Sequence, residues 1–394
     1  MILSTSTPSG NSETENLDFS STYSDNLPKI LEQLGVSLLA TSYQSQRLII
    51  VRSKNGKLET KLKAFPRPMG LFADKNRITL GTLNQVIDFQ VSDSSLADVV
   101  NGKLDKFEEF AAKLKRDEFN EDEQSILERA EQIQDLKTAD SLYIQRSALM
   151  TGMINIHDIA WGNDGLWVVN SIFSCLSKLS ANHSFIACWQ PPFISELKPE
   201  NRCHLNGMAM LDGEPRYVTA FSQSNAKEDW RNKNSDSGVL IDVRENRILK
   251  SDISLPHSPK CHDGKVYYCA SGDGAIHVYD PTTKDTQVLC NLPGFTRGII
   301  FLGDLLIVGL SKVRESSDEG SITRRIKLTP EDSRCGIWLI NANNGLLVSK
   351  LEFTGDVSQI YDIAIIPNSI KPEIISSDDV LSGHLYEYIK ESNI

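Results

Sequence analysis

Residues 257–289, HSPKCHDGKVYYCASGDGAIHVYDPTTKDTQVL, decide the fold. The stretch breaks into four short runs. His257-Ser258-Pro259-Lys260-Cys261 comes first, then Val266-Tyr267-Tyr268-Cys269-Ala270-Ser271, then Ala275-Ile276-His277-Val278-Tyr279-Asp280, and last the weaker Thr286-Gln287-Val288-Leu289. Gly- and Asp-rich turns separate them, which marks each run as a strand.

The opening run has five counterparts: Pro68-Met69-Gly70-Leu71-Phe72, His157-Asp158-Ile159-Ala160-Trp161, Asn206-Gly207-Met208-Ala209-Met210, Arg297-Gly298-Ile299-Ile300-Phe301 and Tyr361-Asp362-Ile363-Ala364-Ile365. Second runs follow at Arg77–Thr82, Leu166–Ser171, Arg216–Phe221 and Leu305–Leu310, and a further third run stands at Gly336–Asn341. Four short strands recurring at intervals of roughly 40 to 50 residues are the signature of propeller blades. The expected fold is all-β, a β-propeller of six or seven four-stranded blades. A set of second, third and fourth strands from Val36 to Lys63 either joins the C-terminal strands to close the ring or forms a seventh, incomplete blade.

Residues 96–138 interrupt the pattern. Leu104, Phe107, Phe110, Ala111 and Leu114 share one helical face, and Asn120 caps a second helix carrying Ile126, Leu127, Ala130 and Ile133. This reads as an inserted helical hairpin whose acidic outer face is a solvated surface, with a lid, a protein contact or a homodimer contact as the other readings. A polar tail over 1–26 is expected to be disordered, and 27–394 form one propeller domain beginning with a short amphipathic helix near Leu27 to Leu34.

A net charge of -11 argues against nucleic acid or anionic lipid as a partner. The first residues lack the basic start and apolar core of a signal peptide, and no apolar run approaches the ~18 residues of a membrane span. A cytoplasmic protein is the expectation. Seven cysteines without a CxxC pair fit reduced thiols in a reducing compartment.

The residues entering the six first strands are Met69, His157, Asn206, His257, Arg297 and Tyr361. In a propeller the first strand of each blade runs along the central channel, so these positions meet around one axis. The loops 222–237 and 311–334 lie over the same mouth, where binding resides. His157, His204, His257 and His262 are candidate ligands for iron, zinc, copper or nickel, neutral imidazole being the commonest transition-metal ligand. Structural hydrogen bonding by each histidine is the plainer alternative. Arg297 is a candidate clamp for a carboxylate or phosphate, or a neutraliser of Asp158 and Asp362. Asn206, Tyr361 and Asp158 complete the candidate catalytic set, Met69 reads as packing, and Arg202 reads as structural. His384 is a weaker candidate, and His183 and His277 receive no role. No GxSxG, P-loop, GxGxxG or EF-hand pattern is present.

Several strings resemble an uncharacterised bacterial family of conserved hypothetical proteins containing a domain of unknown function: HDIAWGNDGLWVVNSIFSCLSKLS, WQPPFISELKPENRCHLNGMAM, LPHSPKCHDGKVYYCASGDGAIHVYDP, LPGFTRGIIFLGDLLIVGLSKVRES, CGIWLINANNGLLVSKLEF and QIYDIAIIP. The resemblance runs from about Leu34 to Pro367. It implies a propeller-like fold, places His157, His204, Asn206, His257 and Arg297 in the family's most recognisable motifs, and carries no reaction. Cys261 stands where an aromatic residue is expected, and the helical insert is an addition to the usual pattern.

Two functions follow as expectations. The first is a metal-dependent enzyme, an oxidoreductase, lyase or hydrolase, acting at the channel mouth on a small molecule or peptide with an anionic group. The second is a non-catalytic scaffold that binds a protein or peptide through its rim and acidic insert. A metal-free binder or isomerase using Arg297 and Tyr361 is a third reading.

Overall fold

The computed structural model describes residues 17–114, 120–313, 326 and 328–388. Six sheets stand around one axis, and we number the blades by their innermost strands. Blade 1 begins at Leu71–Ala73, blade 2 at Ile156–Gly162, blade 3 at Leu205–Leu211, blade 4 at Pro256–His262, blade 5 at Phe295–Leu302 and blade 6 at Ile363–Pro367. Blades 2, 3 and 4 are simple four-stranded meanders.

Blade 6 closes the ring. Its inner strand comes from the C-terminal region and pairs antiparallel with Val36–Ser42, which is followed by Arg47–Lys54 and Lys57–Ala64. The orphan strands at Val36 to Lys63 therefore complete a sixth blade, and there is no seventh among the described residues. Closure couples the N-terminal strands to the C-terminal region through a buried apolar seam that includes Leu38, Ala40, Ile363 and Ile365.

Two blades carry a fifth strand. Pro372–Ile375 pairs in parallel with Ser141–Met150 at the edge of blade 1, and Ser21–Tyr23 pairs antiparallel with Leu347–Phe353 at the edge of blade 5. The second of these lies inside the predicted disordered tail, of which residues 1–16 fall outside the described residues. The tail's polar composition hid the anchors: Phe19 packs on the blade 5–6 core, and Asp18 accepts from Ser20 N at 2.8 Å while its own N donates to Asp356.

The insert comprises three helices, Asp93–Val100, Lys106–Ala111 and Glu121–Lys137, placed between the third and fourth strands of blade 1. Asn120 forms the expected cap: its Oδ1 accepts from Glu123 N at 3.0 Å, and Glu123 Oε2 accepts from Asn120 N at 3.1 Å. Val99, Ile133 and Leu136 bury against Leu142, Ile144, Ile375 and Leu381, whereas Phe110, expected inside, is 51% exposed. A third-to-fourth strand connection emerges on the opposite end of the ring from the inner-strand entrances. The insert is thus excluded as a lid over the channel mouth.

A second regularity positions the mouth. The residue after each entrance position alternates around the ring: Gly70, Asp158, Gly207, Ser258, Gly298, Asp362. Each polar member accepts from the next blade's backbone, Asp158 Oδ2 from Met208 N at 2.9 Å, Ser258 Oγ from Gly298 N at 3.0 Å and Asp362 Oδ2 from Leu71 N at 3.0 Å. Each glycine makes room for the following polar residue. A Cβ on Gly207 would stand 2.7 Å from Ser258 N and 2.5 Å from Pro259 Cδ, and one on Gly298 would stand 2.8 Å from Ile363 N. Hydroxyls at the ends of second strands add a further tie: Thr41 Oγ1 donates to Met69 O at 2.6 Å, Ser271 Oγ to Thr296 O at 2.6 Å and Ser311 Oγ to Ile360 O at 2.8 Å.

Because the obstacle at Gly207 is backbone, it cannot rotate away. Gly207→Ala is predicted to cost about 1–3 kcal/mol in urea unfolding. Gly383→Ala, where nothing lies within 4 Å of an added Cβ, should change stability by less than ~0.5 kcal/mol. Equal effects at the two positions would refute the strut-and-gap account.

Candidate functional site

The entrance residues meet as a closed belt of rings and one guanidinium. His157 meets Tyr361 edge-on at 5.5 Å and His204 at 4.7 Å. His204 contacts Phe221 at 4.5 Å, Phe221 contacts His257 at 5.2 Å, and His257 contacts Phe295 at 5.3 Å. Arg297 closes the circuit, its guanidinium 4.9 Å from the Phe295 ring centroid and 5.2 Å from that of Tyr361. Seven side chains from blades 2 to 6 thus follow one another around the axis. The entrance residue of blade 1, Met69, is buried.

Trp230 is laid beside the belt by the loop between the second and third strands of blade 3, where Asp229–Asn232 makes a short 3-10 turn. Its ring lies 4.2 Å from His204, and Phe221, Leu255, Phe295 and Ile326 complete this apolar wall.

Each histidine is held on one tautomer or in one place. His257 Nδ1 lies 2.9 Å from Leu255 O and 2.8 Å from Ser271 Oγ. A carbonyl only accepts, so Nδ1 carries the proton and Nε2 is the basic nitrogen. His204 sits at φ 50°, a left-handed conformation uncommon outside glycine, with Nδ1 3.1 Å from the Asn201 side-chain amide. His157 is hydrogen-bonded on both nitrogens, Nε2 to Asn155 Nδ2 at 2.8 Å and Nδ1 to Asn206 Oδ1 at 2.9 Å. Burial lowers the pKa of all three, that of His157 to about 3. For His257 the nearby Arg297 charge acts in the same direction, and for His204 the neighbouring histidines do. The belt histidines are neutral at physiological pH.

Several buried polar atoms of the mouth have no hydrogen-bond partner among the described residues: Arg297 Nε, Asn206 Nδ2, Tyr361 Oη and Trp230 Nε1. Arg297 Nη1 makes one long contact, 3.4 Å to Tyr43 Oη. Among the described residues no carboxylate forms an ion pair with it. Buried donors without partners are uncommon in folded proteins, and four of those among the described residues belong to the belt, to its apolar wall or to Asn206 beside it.

Asp158 and Asp362 do not neutralise Arg297. Asp158 Oδ1 accepts from Ile159 N at 2.8 Å and its Oδ2 from Met208 N, while Asp362 Oδ1 accepts from Ile363 N at 2.9 Å and its Oδ2 from Leu71 N. Their counter-ion is Lys260, whose Nζ is 3.6 Å from Asp158 Oδ2. Burial and the Asp158 charge together push the Asp362 carboxyl above the usual carboxylate range.

His262 stands at the far end of its strand from His257, roughly 16 Å away at ~3.3 Å per residue. It stacks flat on Phe301 at 3.9 Å. Among the described residues no three His, Cys, Asp or Glu side chains group closely enough to hold a metal ion. With both His157 nitrogens engaged, the belt histidines keep a ring nitrogen without a hydrogen bond to the described residues only on His204 and His257. Arg202 ties loops together, reaching Glu200 at 2.8 Å and Glu196 and Asn225 at 2.9 Å. His384 packs on Phe107 of the insert, 5.0 Å away. His277 meets Tyr268 edge-on, and His183 lies near Ser180 at the surface. No helix among the described residues is long and apolar enough to cross a membrane. None of the seven cysteines is paired, and Cys188 is exposed.

Reading the sequence did not single out Asn155, Phe221, Trp230, Phe295 or Tyr43. A signal existed for two of them. Asn155 and Phe295 stand two residues before an entrance position, as His204 does, and alternate residues of an extended segment share a face.

Fold and site together define a six-bladed β-propeller with a donor-rich aromatic mouth. The chain belongs to the family described as Domain of unknown function (DUF4915), whose model matches residues 25–110 and 117–375. No curated protein matches it. Among solved structures it is similar to a chain in the crystal structure of a nidogen/laminin complex, at 10% identity and a TM-score of 0.49, covering 84% of this chain and 99% of that one. It is also similar to a protein of unknown function from Bacteroides caccae, at 10% identity and a TM-score of 0.45, covering 84% and 98% respectively.

Proposed function

We propose that the channel mouth is the binding and reaction site for a small anionic molecule, anchored by Arg297. The observation that carries this reading is the guanidinium without a carboxylate partner among the described residues, set beside other atoms unpartnered there, Asn206 Nδ2, Trp230 Nε1 and Tyr361 Oη, all of which can donate. A carboxylate or phosphate accepts from all of them. The apolar wall of Phe221, Trp230 and Phe295 covers the ligand's body.

The chemistry available is proton transfer. His257 Nε2 is a neutral base, because Nδ1 is held by Leu255 O and Ser271 Oγ. Tyr361, whose pKa burial raises well above its ordinary value, remains a protonated donor. A base and a donor on one ring suit removal of a proton beside a carboxylate and stabilisation of the resulting oxyanion, the work of an isomerase or lyase.

The test is calorimetric titration of the purified protein with a panel of small mono- and dicarboxylates and phosphate esters. At least one should bind, and Arg297→Met should weaken it about 100-fold, the ~2.7 kcal/mol of a lost charge-assisted contact. If no anion binds, or if the variant binds equally well, the reading fails. Elemental analysis of the same preparations checks the metal-dependent alternative: stoichiometric metal that disappears in His257→Ala would replace this proposal with it.

A further inference from the structure

A line of hydrogen bonds enters the mouth from solvent. Arg67, exposed and two residues before Met69, places Nη2 3.1 Å from Asn155 Oδ1. Asn155 Nδ2 is 2.8 Å from His157 Nε2, and His157 Nδ1 is 2.9 Å from Asn206 Oδ1. The line ends at Asn206 Nδ2, which is buried and has no partner among the described residues.

Only one assignment of protons satisfies this line. A guanidinium cannot accept, so the Asn155 oxygen faces Arg67 and its NH2 faces His157. His157 Nε2 must then accept, which puts the ring proton on Nδ1. That proton requires the oxygen of Asn206, and the Asn206 NH2 is left over. A charge at the surface thereby decides that a buried amide presents a donor and not an acceptor.

We infer that Arg67 and Asn155 are positioning residues that fix the His157 tautomer and, through it, hold Asn206 as a donor, so that the mouth selects an acceptor-only ligand, a carboxylate or other oxyanion, over an isosteric amide. The inference rests on the preceding reading of the mouth as an anion site and adds the origin of its selectivity. Asn155 sits at φ 58°, which Asp tolerates as Asn does, so Asn155→Asp tests the line without new backbone strain. Aspartate only accepts. At pH 9, where the imidazole beside it is neutral, it draws the proton to Nε2, leaves Nδ1 as acceptor and turns the Asn206 oxygen toward the mouth. Arg67→Met acts at the exposed end and frees the Asn155 amide to turn over.

The experiment is 15N NMR of histidine-labelled full-length protein at pH 9, with acetate and acetamide as probes. In the wild type, His157 should be protonated on Nδ1, and acetate should bind at least tenfold tighter than acetamide. Asn155→Asp should move the proton to Nε2 and abolish the preference. Arg67→Met should give a mixture of tautomers and a three- to tenfold loss of acetate affinity. A wild-type His157 protonated on Nε2, or a tautomer unaffected by both variants, overturns the inference whatever binds. A correct tautomer response in a protein that binds neither probe overturns the anion-site reading and its selectivity, while leaving Arg67 and Asn155 as positioning residues. A variant that loses its dispersed histidine spectrum is unfolded, and the other variant then decides.

Discussion

Arg297→Met should leave the ligand-free protein as stable as the wild type or about 1 kcal/mol more stable, and remove the stabilisation that the ligand confers. A buried N–H without a partner costs about 1–3 kcal/mol, and Arg297 Nε is such a group among the described residues. Against this stand the guanidinium's contacts with Phe295 and Tyr361, each worth about 0.5–1 kcal/mol. A methionine of similar length replaces part of them with sulfur–aromatic contacts of about 0.3–1.5 kcal/mol. In the wild type, ligand at a hundred times its dissociation constant should add about 2.7 kcal/mol. Thermal unfolding with and without ligand measures both quantities. A ligand-free variant more than ~1 kcal/mol less stable than the wild type would make Arg297 a structural residue and sink its role as anchor.

The difference between fold and site in what could be read has a physical cause. Each blade repeats a strand pattern set by local burial and turn chemistry, so the stretch from His257 to Leu289 specified its four strands, and its relatives specified the ring. Strand pairing across the closure was the open point, because only geometry decides whether Ile363–Pro367 reaches Val36–Ser42. The belt was half legible. Of the belt, His157, His257, Arg297 and Tyr361 sit at equivalent positions of a repeat and were found through it, as was Asn206 beside His157. Trp230 arrives from a loop, which has no repeat to align it, and Phe221 caps a second strand. The roles were less legible than the places. Asp158 looks like a reacting group in sequence, yet both its oxygens hold backbone N–H groups, and that assignment depends on where Met208 of the next blade lies. The alternation of glycine with Asp or Ser after each entrance residue was present in the sequence and acquires meaning only as contact between blades.

Acid should weaken the fold well before ordinary carboxylates titrate. His157, His204 and His257 have folded-state pKa values depressed chiefly by burial, from an ordinary value of 6.5 to about 3 for His157 and well below it for the other two. As pH falls through 6.5 the unfolded chain takes up three protons that the folded chain refuses, so stability present above pH 6.5 is lost on acidification. Between pH 7.5 and 5 a histidine that stays neutral throughout in the folded state removes about 2 kcal/mol, starting from an unfolded value of about 6.5. Asp362 works in the opposite sense. Its folded pKa is raised, first by burial and then by Asp158, so the folded state gains a proton in this window before the unfolded state does. That gain offsets about 2 kcal/mol. The net expectation is a loss of about 4 kcal/mol between pH 7.5 and 5, with about two extra protons bound on unfolding at the acid end. Urea unfolding at a series of pH values measures the slope. His257→Gln removes one of the three refusing groups and should reduce the uptake by about one proton, whereas Asp362→Asn removes the opposing group and should steepen it by about one. A wild-type stability that is flat from pH 7.5 to 5 would mean that the belt histidines are hydrated and free to protonate, which is incompatible with a closed ring of neutral imidazoles around Arg297.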